Sequence, residues 1–165
     1  MKKILKTISY VLLAGIVLIQ FYPRPEKNSN KETSMADISK VFEVPAPVLQ
    51  VLQTSCYDCH SNNTAYPWYA RIQPVALWLN DHIEEGKAEL NFSEFGNYSI
   101  RRQYRKLEEI NKEVKEGEMP LSSYTLIHRN ATLENEEKLL LANWTTSIRD
   151  DFKAKYPPDS LEKKK

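Results

Sequence analysis

Two cysteines and a histidine stand together in the run CYDCH at positions 56–60, which holds the only cysteines of the chain. If this run is helical, Cys56, Cys59 and His60 share one face, because side chains three and four positions apart are neighbours on a helix. Two thiols on that face can add to the two vinyl groups along one porphyrin edge, and the adjacent imidazole then becomes a ligand of the iron. The pattern C-x-x-C-H is accordingly the attachment motif of a c-type haem. It predicts one covalent haem c with His60 as the proximal ligand.

Size and charge are those of a single small domain with extensions. The chain has 165 residues, and its 23 basic and 22 acidic residues nearly cancel to a formal net charge of +1. That balance gives no excess of positive charge, which a nucleic-acid-binding surface would need. A domain of roughly 110 residues is small enough to gain stability from a large apolar cofactor inside its core.

The N-terminus has the pattern of an export signal. Three lysines within the first six residues precede an apolar run from about residue 8 to residue 22, as in a positive n-region followed by an apolar h-region. The run is shorter than the ~20 residues that span a bilayer, and no clean cleavage site follows it. A cleaved signal and a retained membrane anchor both remain open. We favour an uncleaved anchor over residues 1–22, with the lysines inside and the rest of the chain outside.

The globular part is predicted to be an all-α domain over residues 42–152. Apolar residues recur there with helical periodicity, and no convincing alternating run predicts a strand. Residues 23–41 are polar and predict a flexible tether, while residues 153–165 predict a disordered basic tail. Asn91 and Glu94 form a capping-box pattern. The predicted helices cover residues 48–56, 74–90, 99–116 and 133–152.

A second axial ligand would decide the electronic character of a haem. Met119 is the only methionine of the predicted domain, between Gly117, which suits a helix C-cap, and Pro120, which prevents the helix from resuming. Its thioether is a soft ligand, and Met/His ligation raises the reduction potential. Filling a gap in the core is the alternative role for Met119. His82 is an alternative ligand, and His128 is a second alternative or a hydrogen-bond donor to a haem propionate.

Aromatic and basic residues after the motif are candidates for contacts with the macrocycle. Trp68, Tyr69 and Trp78 can pack on its apolar surface or reach propionates through their polar tips, and Arg71 can pair with a propionate. Ordinary packing is the alternative for all four. A backbone carbonyl in the loop 66–74 is predicted to accept the second ring N–H of the proximal imidazole. Trp78 is expected to face inward from its helix.

Four sequence blocks resemble the c-type-cytochrome-like haem-binding domain family of exported bacterial proteins. The resemblance implies one covalent haem c, thioethers at Cys56 and Cys59, proximal His60, distal Met119 and a location in the bacterial cell envelope. One departure from compact mitochondrial-type cytochromes is a charged helix between His60 and Met119. The blocks lie at residues 56–62, 66–69, 90–94 and 117–128, within a span of about 50–152.

Electron transfer outside the cytoplasmic membrane, with an unknown redox partner protein, is the predicted function. A peroxidase-like haem enzyme would instead need an open sixth position and a distal acid/base, for which His82 and His128 are the candidates. A haem-based sensor is a third class, although the sequence shows no output domain. A thioredoxin-like thiol pair and a zinc site are the non-haem alternatives. The former requires a strand-helix-strand unit, and the latter usually requires a second closely spaced ligand pair.

Overall fold

The computed structural model describes residues 1–30 and 33–162, and within them it shows nine α-helices, three 3₁₀ helices and no β-strand. The all-α prediction is therefore confirmed. The α-helices are α1 Lys2–Ile19, α2 Ile38–Val41, α3 Ala46–Ser55, α4 Tyr57–His60, α5 Val75–Glu89, α6 Ile100–Glu116, α7 Ser122–Thr125, α8 Asn135–Lys155 and α9 Pro158–Leu161. The 3₁₀ helices are Trp68–Arg71, Phe92–Asn97 and Arg129–Ala131.

The core is centred on α6 and α8, which form the most extensive helix pair. Each helix buries one stripe of residues at three- and four-residue spacing, because 3.6 residues per turn bring those positions to one side. Helix α3 and the 3₁₀ helix Phe92–Asn97 contribute further buried residues to this core. The buried residues of α6 and α8 that line this core are Tyr104, Leu107, Ile110, Val114, Leu141, Trp144, Ile148 and Phe152.

Helix α6 begins and ends at the capping residues of the sequence. The Ser99 hydroxyl accepts the Arg102 N–H at the start of α6, and Gly117 ends that helix in the left-handed region with φ +80°, where a Cβ would be unfavourable. The capping-box prediction at Asn91 is only half correct. The Asn91 side chain does accept the Ser93 N–H at 3.0 Å, but the Glu94 carboxylate accepts from the Asn62 side chain at 2.9 Å.

The first helix lies outside the core. No residue of α1 is buried, and its end is fixed to the domain through Gln20. The Gln20 side chain donates to the Gln73 carbonyl at 2.9 Å and accepts the Gln73 N–H at 3.1 Å. Within residues 1–30 and 33–162, no helix combines the length and the apolar character needed to cross a bilayer. The predicted membrane anchor is therefore not supported by the structure.

Packing begins before the predicted domain start at residue 42. The Asn28 N–H donates to the Tyr66 hydroxyl at 2.8 Å, and the Asn28 amide donates to the Ser61 carbonyl at 2.8 Å. Ile38 is fully buried in the same hydrophobic cluster as α6 and α8. Part of the segment predicted as a flexible tether is therefore held to the domain by hydrogen bonds and apolar contacts.

The C-terminal segment also differs from its prediction. Helix α8 continues to Lys155, and α9 follows with Leu161 buried in the core cluster. The expected disorder is therefore not observed over residues 153–162, because one apolar side chain in a polar stretch finds a place in the core. Residues 163–165, also predicted to be disordered, lie outside the described part of the chain.

Candidate functional site

The motif forms a single helical turn. The N–H groups of Cys59 and His60 both donate to the Cys56 carbonyl, at 3.2 and 3.0 Å. On such a turn, side chains three and four positions apart are neighbours. Ser61 ends the turn in an extended conformation, and its buried hydroxyl donates to the Tyr57 carbonyl at 2.7 Å. The C-x-x-C-H residues are thus held close together in one short, well-capped turn.

Two backbone carbonyls orient the His60 ring. Its Nδ1 lies 2.9 Å from the Gly86 carbonyl oxygen and 2.9 Å from the Leu90 carbonyl oxygen. Because carbonyls only accept, Nδ1 carries the proton and Nε2 keeps the lone pair that binds a metal. The prediction of an acceptor in the loop 66–74 is wrong. The carbonyls instead come from the last turn of α5 and the residue after it, where the helical hydrogen-bond pattern stops.

Gly86 lets α5 touch the cysteine turn. A Cβ at this position would lie 2.7 Å from the Cys59 carbonyl oxygen and 3.2 Å from the Cys59 Cβ. The first distance is too short for any real contact with a backbone atom, so no other residue fits without movement. The sequence analysis missed this residue. Its signal was a glycine inside a predicted helix, which has a packing reason more often than not.

The electrostatic surroundings keep the imidazole neutral. Burial lowers the pKa of His60, and the Lys106 ammonium acts in the same direction, against the two hydrogen bonds to backbone carbonyls. Lys106 is only 5% exposed and pairs with the Glu89 carboxylate at 3.1 Å and the Glu109 carboxylate at 2.6 Å. A neutral imidazole is the form that ligates a metal.

The two thiols are also uncharged in the folded chain. Burial raises the pKa of Cys56 to about 12, with the Cys59 sulfur adding to the shift. Burial raises the pKa of Cys59 to about 11, and the Asp58 carboxylate acts in the same direction. Both cysteines are free rather than joined in a disulfide. Each therefore presents a protonated sulfur beside the imidazole.

Two adjacent cavities meet at His60 and Met119. The first has a volume of about 460 Å³ and the second about 290 Å³. Cys56 lines the first and Cys59 the second. Residues that line both are Ser55, His60, Glu89, Met119 and Pro120. The structure thus brings the predicted proximal and distal ligands to one space.

The residues around this space fit a haem c. The chain offers two sulfurs, an imidazole with a free Nε2 and a thioether, which is the donor set of a Met/His-ligated c-type haem. Most of the exposed lining of the first cavity is apolar, as expected of a site for a large flat hydrophobic ligand. Apolar side chains on its walls are Leu90, Phe92, Ile110, Val114 and Leu133.

The predicted aromatic residues lie to one side of this space. Trp68, Tyr69 and Trp78 line a third cavity of about 250 Å³. Its lining also includes Cys59, His82 and Tyr124. None of the three lines the two cavities at His60. Trp68 is 75% exposed and Trp78 is 47% exposed, so the expectation that Trp78 faces inward is wrong. Ile83, a second residue of this helix predicted to face inward, is fully buried.

The two alternative histidines have different surroundings. His82 lines the second cavity, and its Nδ1 lies 2.9 Å from the Trp78 carbonyl, which leaves Nε2 as an acceptor. His128 lines neither cavity at His60, and its Nε2 lies 2.7 Å from the Tyr69 hydroxyl. Arg71 is exposed and also lines neither cavity.

The structure does not support the two non-haem alternatives, a zinc site and a thioredoxin-like thiol pair. Among the residues it describes, no group of three or more His, Cys, Asp or Glu side chains is arranged to hold a metal ion, as a zinc site would require. The same residues show no strand for a thioredoxin-like strand-helix-strand unit.

Comparison with known proteins supports haem binding. A family model described as a haem-binding domain matches residues 14–147, which is most of the chain. The chain therefore belongs to the haem-binding domain family, as the sequence blocks suggested. No curated protein and no solved structure matches it.

Proposed function

We propose that this member of the haem-binding domain family carries one haem c on Cys56 and Cys59, with His60 and Met119 as axial ligands, and that it transfers electrons. The observation that carries this proposal is that His60 and Met119 line the same two cavities while each cysteine lines one of them. When bound, the haem supplies a one-electron ferric/ferrous couple. The chain supplies the binding site, the ligands and their orientation.

Each residue has a defined task in this proposal. Cys56 and Cys59 retain the cofactor through thioether bonds. His60 donates its Nδ1 proton to the carbonyls of Gly86 and Leu90, which fixes the ring and makes Nε2 a stronger donor to a metal. Met119 supplies a soft thioether, which favours the reduced state of the iron relative to a second imidazole.

A haem enzyme or a haem-based sensor is the second candidate function. The observation that favours it is that His82 lines the second cavity. Its Nδ1 contacts the Trp78 carbonyl, which leaves Nε2 free. In that case Met119 packs beside the site without ligation. His82 then serves as an axial ligand, or as an acid/base group next to an open coordination position.

Export is a further part of the proposal. The lysine-flanked apolar N-terminal segment supports a location in the bacterial cell envelope, with the domain outside the cytoplasm and an unidentified redox protein as its partner. We propose membrane contact through α1, which has no buried residue. Fractionation of cells that produce the full chain tests both points. Protein found only in the cytoplasm contradicts export, and protein found only in the soluble envelope fraction contradicts membrane contact.

Two matched variants test the ligand assignment. Met119→Ala should abolish the far-red sulfur-to-iron absorption band of the ferric protein, because it removes the proposed thioether ligand, while His82→Ala should keep the band. A band that survives Met119→Ala contradicts ligation by Met119. A wild-type spectrum without the band, together with a spectral change in His82→Ala, supports the second candidate instead.

A further inference from the structure

A hydrogen bond joins the two sides of the second cavity. Tyr124 donates its phenolic O–H to the Asp58 carboxylate at 2.7 Å, and both residues line this cavity together with His60 and Met119. Asp58 lies within the cysteine turn, and Tyr124 follows Met119 by five positions. In the part of the chain that the structure describes, it is the one hydrogen bond between residues 117–128 and residues 56–60.

The acceptor is held in place independently of Tyr124. The second oxygen of the Asp58 carboxylate accepts the Ala65 N–H at 2.9 Å, and the Asp58 carbonyl accepts the Thr64 hydroxyl at 2.6 Å. Since these contacts come from the loop after the motif, the orientation of the carboxylate does not depend on Tyr124. Little further ordering is then required to form the bond, which favours it.

The side chain of the donor, Tyr124, is also held in place by its neighbours. The Tyr124 ring stacks on the His128 ring with centroids 4.4 Å apart and planes inclined by 14°, and His128 in turn bonds the Tyr69 hydroxyl. Burial raises the pKa of Tyr124, and the hydrogen bond to Asp58 acts in the same direction. The phenol therefore keeps its proton and can donate it to the carboxylate.

Apart from the hydrogen bond between His128 and Tyr69 at its far end, the segment that carries Met119 is attached at its beginning. The N–H groups of Glu118 and Met119 both donate to the Glu113 carbonyl of α6, at 3.0 and 3.2 Å. Beyond Met119, Tyr124 and Thr125 donate their N–H groups to Leu121, which belongs to the same segment. The Tyr124–Asp58 bond is thus the direct polar tie between the far end of this segment and the cysteine turn.

We infer that the Tyr124–Asp58 hydrogen bond is a latch that holds the Met119 segment closed over His60. The inference rests on the proposed function, because it concerns how firmly Met119 stays at the iron. Tyr124 and Asp58 are positioning residues in this account and do not ligate the metal. With the bond removed, the segment opens more often, and an external ligand reaches the metal more readily, because its apparent affinity rises with the open fraction.

Imidazole is the probe for the latch in the haem-loaded protein. Tyr124→Phe keeps the ring and its stacking but removes the donor. It should lower the apparent Kd for imidazole about tenfold, which corresponds to about 1.4 kcal/mol. Asp58→Asn added to Tyr124→Phe should change the Kd little further, because the bond is already broken. Tyr66→Phe is the matched control, because the Tyr66 hydroxyl pairs with the Asn28 N–H and with no residue of the segment 117–128, and it should leave the Kd near the wild-type value.

Hydrogen exchange separates a failed latch from a failed ligand assignment. Tyr124→Phe should raise backbone amide exchange in residues 117–127 of the haem-loaded protein, while residues 104–114 of the core helix stay protected. This readout does not depend on which side chain ligates the iron. Unchanged exchange in 117–127 overturns the latch, as does an equal shift of the imidazole Kd by Tyr66→Phe. Absence of the far-red band in the wild type overturns only the role of Met119.

Discussion

Replacing Gly86 by alanine tests the contact between α5 and the cysteine turn. The added Cβ would lie 2.7 Å from the Cys59 carbonyl oxygen, so α5 or the turn must move. Overpacking of this kind costs about 1–3 kcal/mol. Exchanging a mid-helix glycine for alanine returns about 0.8–1.0 kcal/mol of helix propensity. The difference predicts a net loss of about 1 kcal/mol, or a decrease in Tm of about 4 °C for a domain of this size.

Urea unfolding of the haem-loaded protein, monitored by far-UV circular dichroism, measures this loss. Asp81→Ala, at an exposed position of the same helix, is the control for effects on α5 itself and should leave the midpoint nearly unchanged. Gly86→Ala should lower the midpoint without altering the slope. A Gly86→Ala protein as stable as the wild type would refute the argument, because the close approach of α5 to Cys59 would then be dispensable.

Two further predictions concern the thiols and the end of α6. In folded protein without haem, burial raises the pKa of Cys56 to about 12 and of Cys59 to about 11. Because the thiolate is the reacting form, alkylation of both cysteines by iodoacetamide at pH 8 should be slower than in urea-unfolded chain by a factor of about 100 or more. Equal rates in the two states would contradict the burial. Gly117→Ala should cost about 1 kcal/mol in urea unfolding, because Gly117 has φ +80° and an L-residue is strained there. Nothing lies within 4 Å of the added Cβ, so the cost comes from the backbone conformation, and an unchanged midpoint would contradict the strain.

The parts of the fold predicted correctly are those with local signals. Helix α6 shows its buried stripe, its serine cap and its terminal glycine in the sequence itself, and its predicted range 99–116 differs from the observed Ile100–Glu116 by one residue. For the run 56–60, the spacing showed only that the three side chains would share a face if the run was helical. Where one face of a helix is apolar and its ends carry capping residues, the local sequence contains most of the information.

Apart from the meeting of His60 and Met119, contacts between distant segments were not predicted. The hydrogen-bond partners of His60 are backbone carbonyls, and every residue has a carbonyl, so no residue type marks Gly86 and Leu90 as the acceptors. Trp78 was placed inside because it is large and apolar, yet its position on α5 faces the third cavity and solvent. Leu161 was assigned to a disordered tail because its neighbours are polar, although its own side chain is buried.

The most direct test of the central claim is whether haem stays on the chain after denaturation. Full-length protein produced with a haem-attachment system should keep its colour through acid-acetone washing and give the pyridine haemochrome spectrum of a haem with two thioether bonds. Cys56→Ala combined with Cys59→Ala should release the pigment under the same treatment. Wild-type protein that comes out colourless would contradict covalent attachment through Cys56 and Cys59.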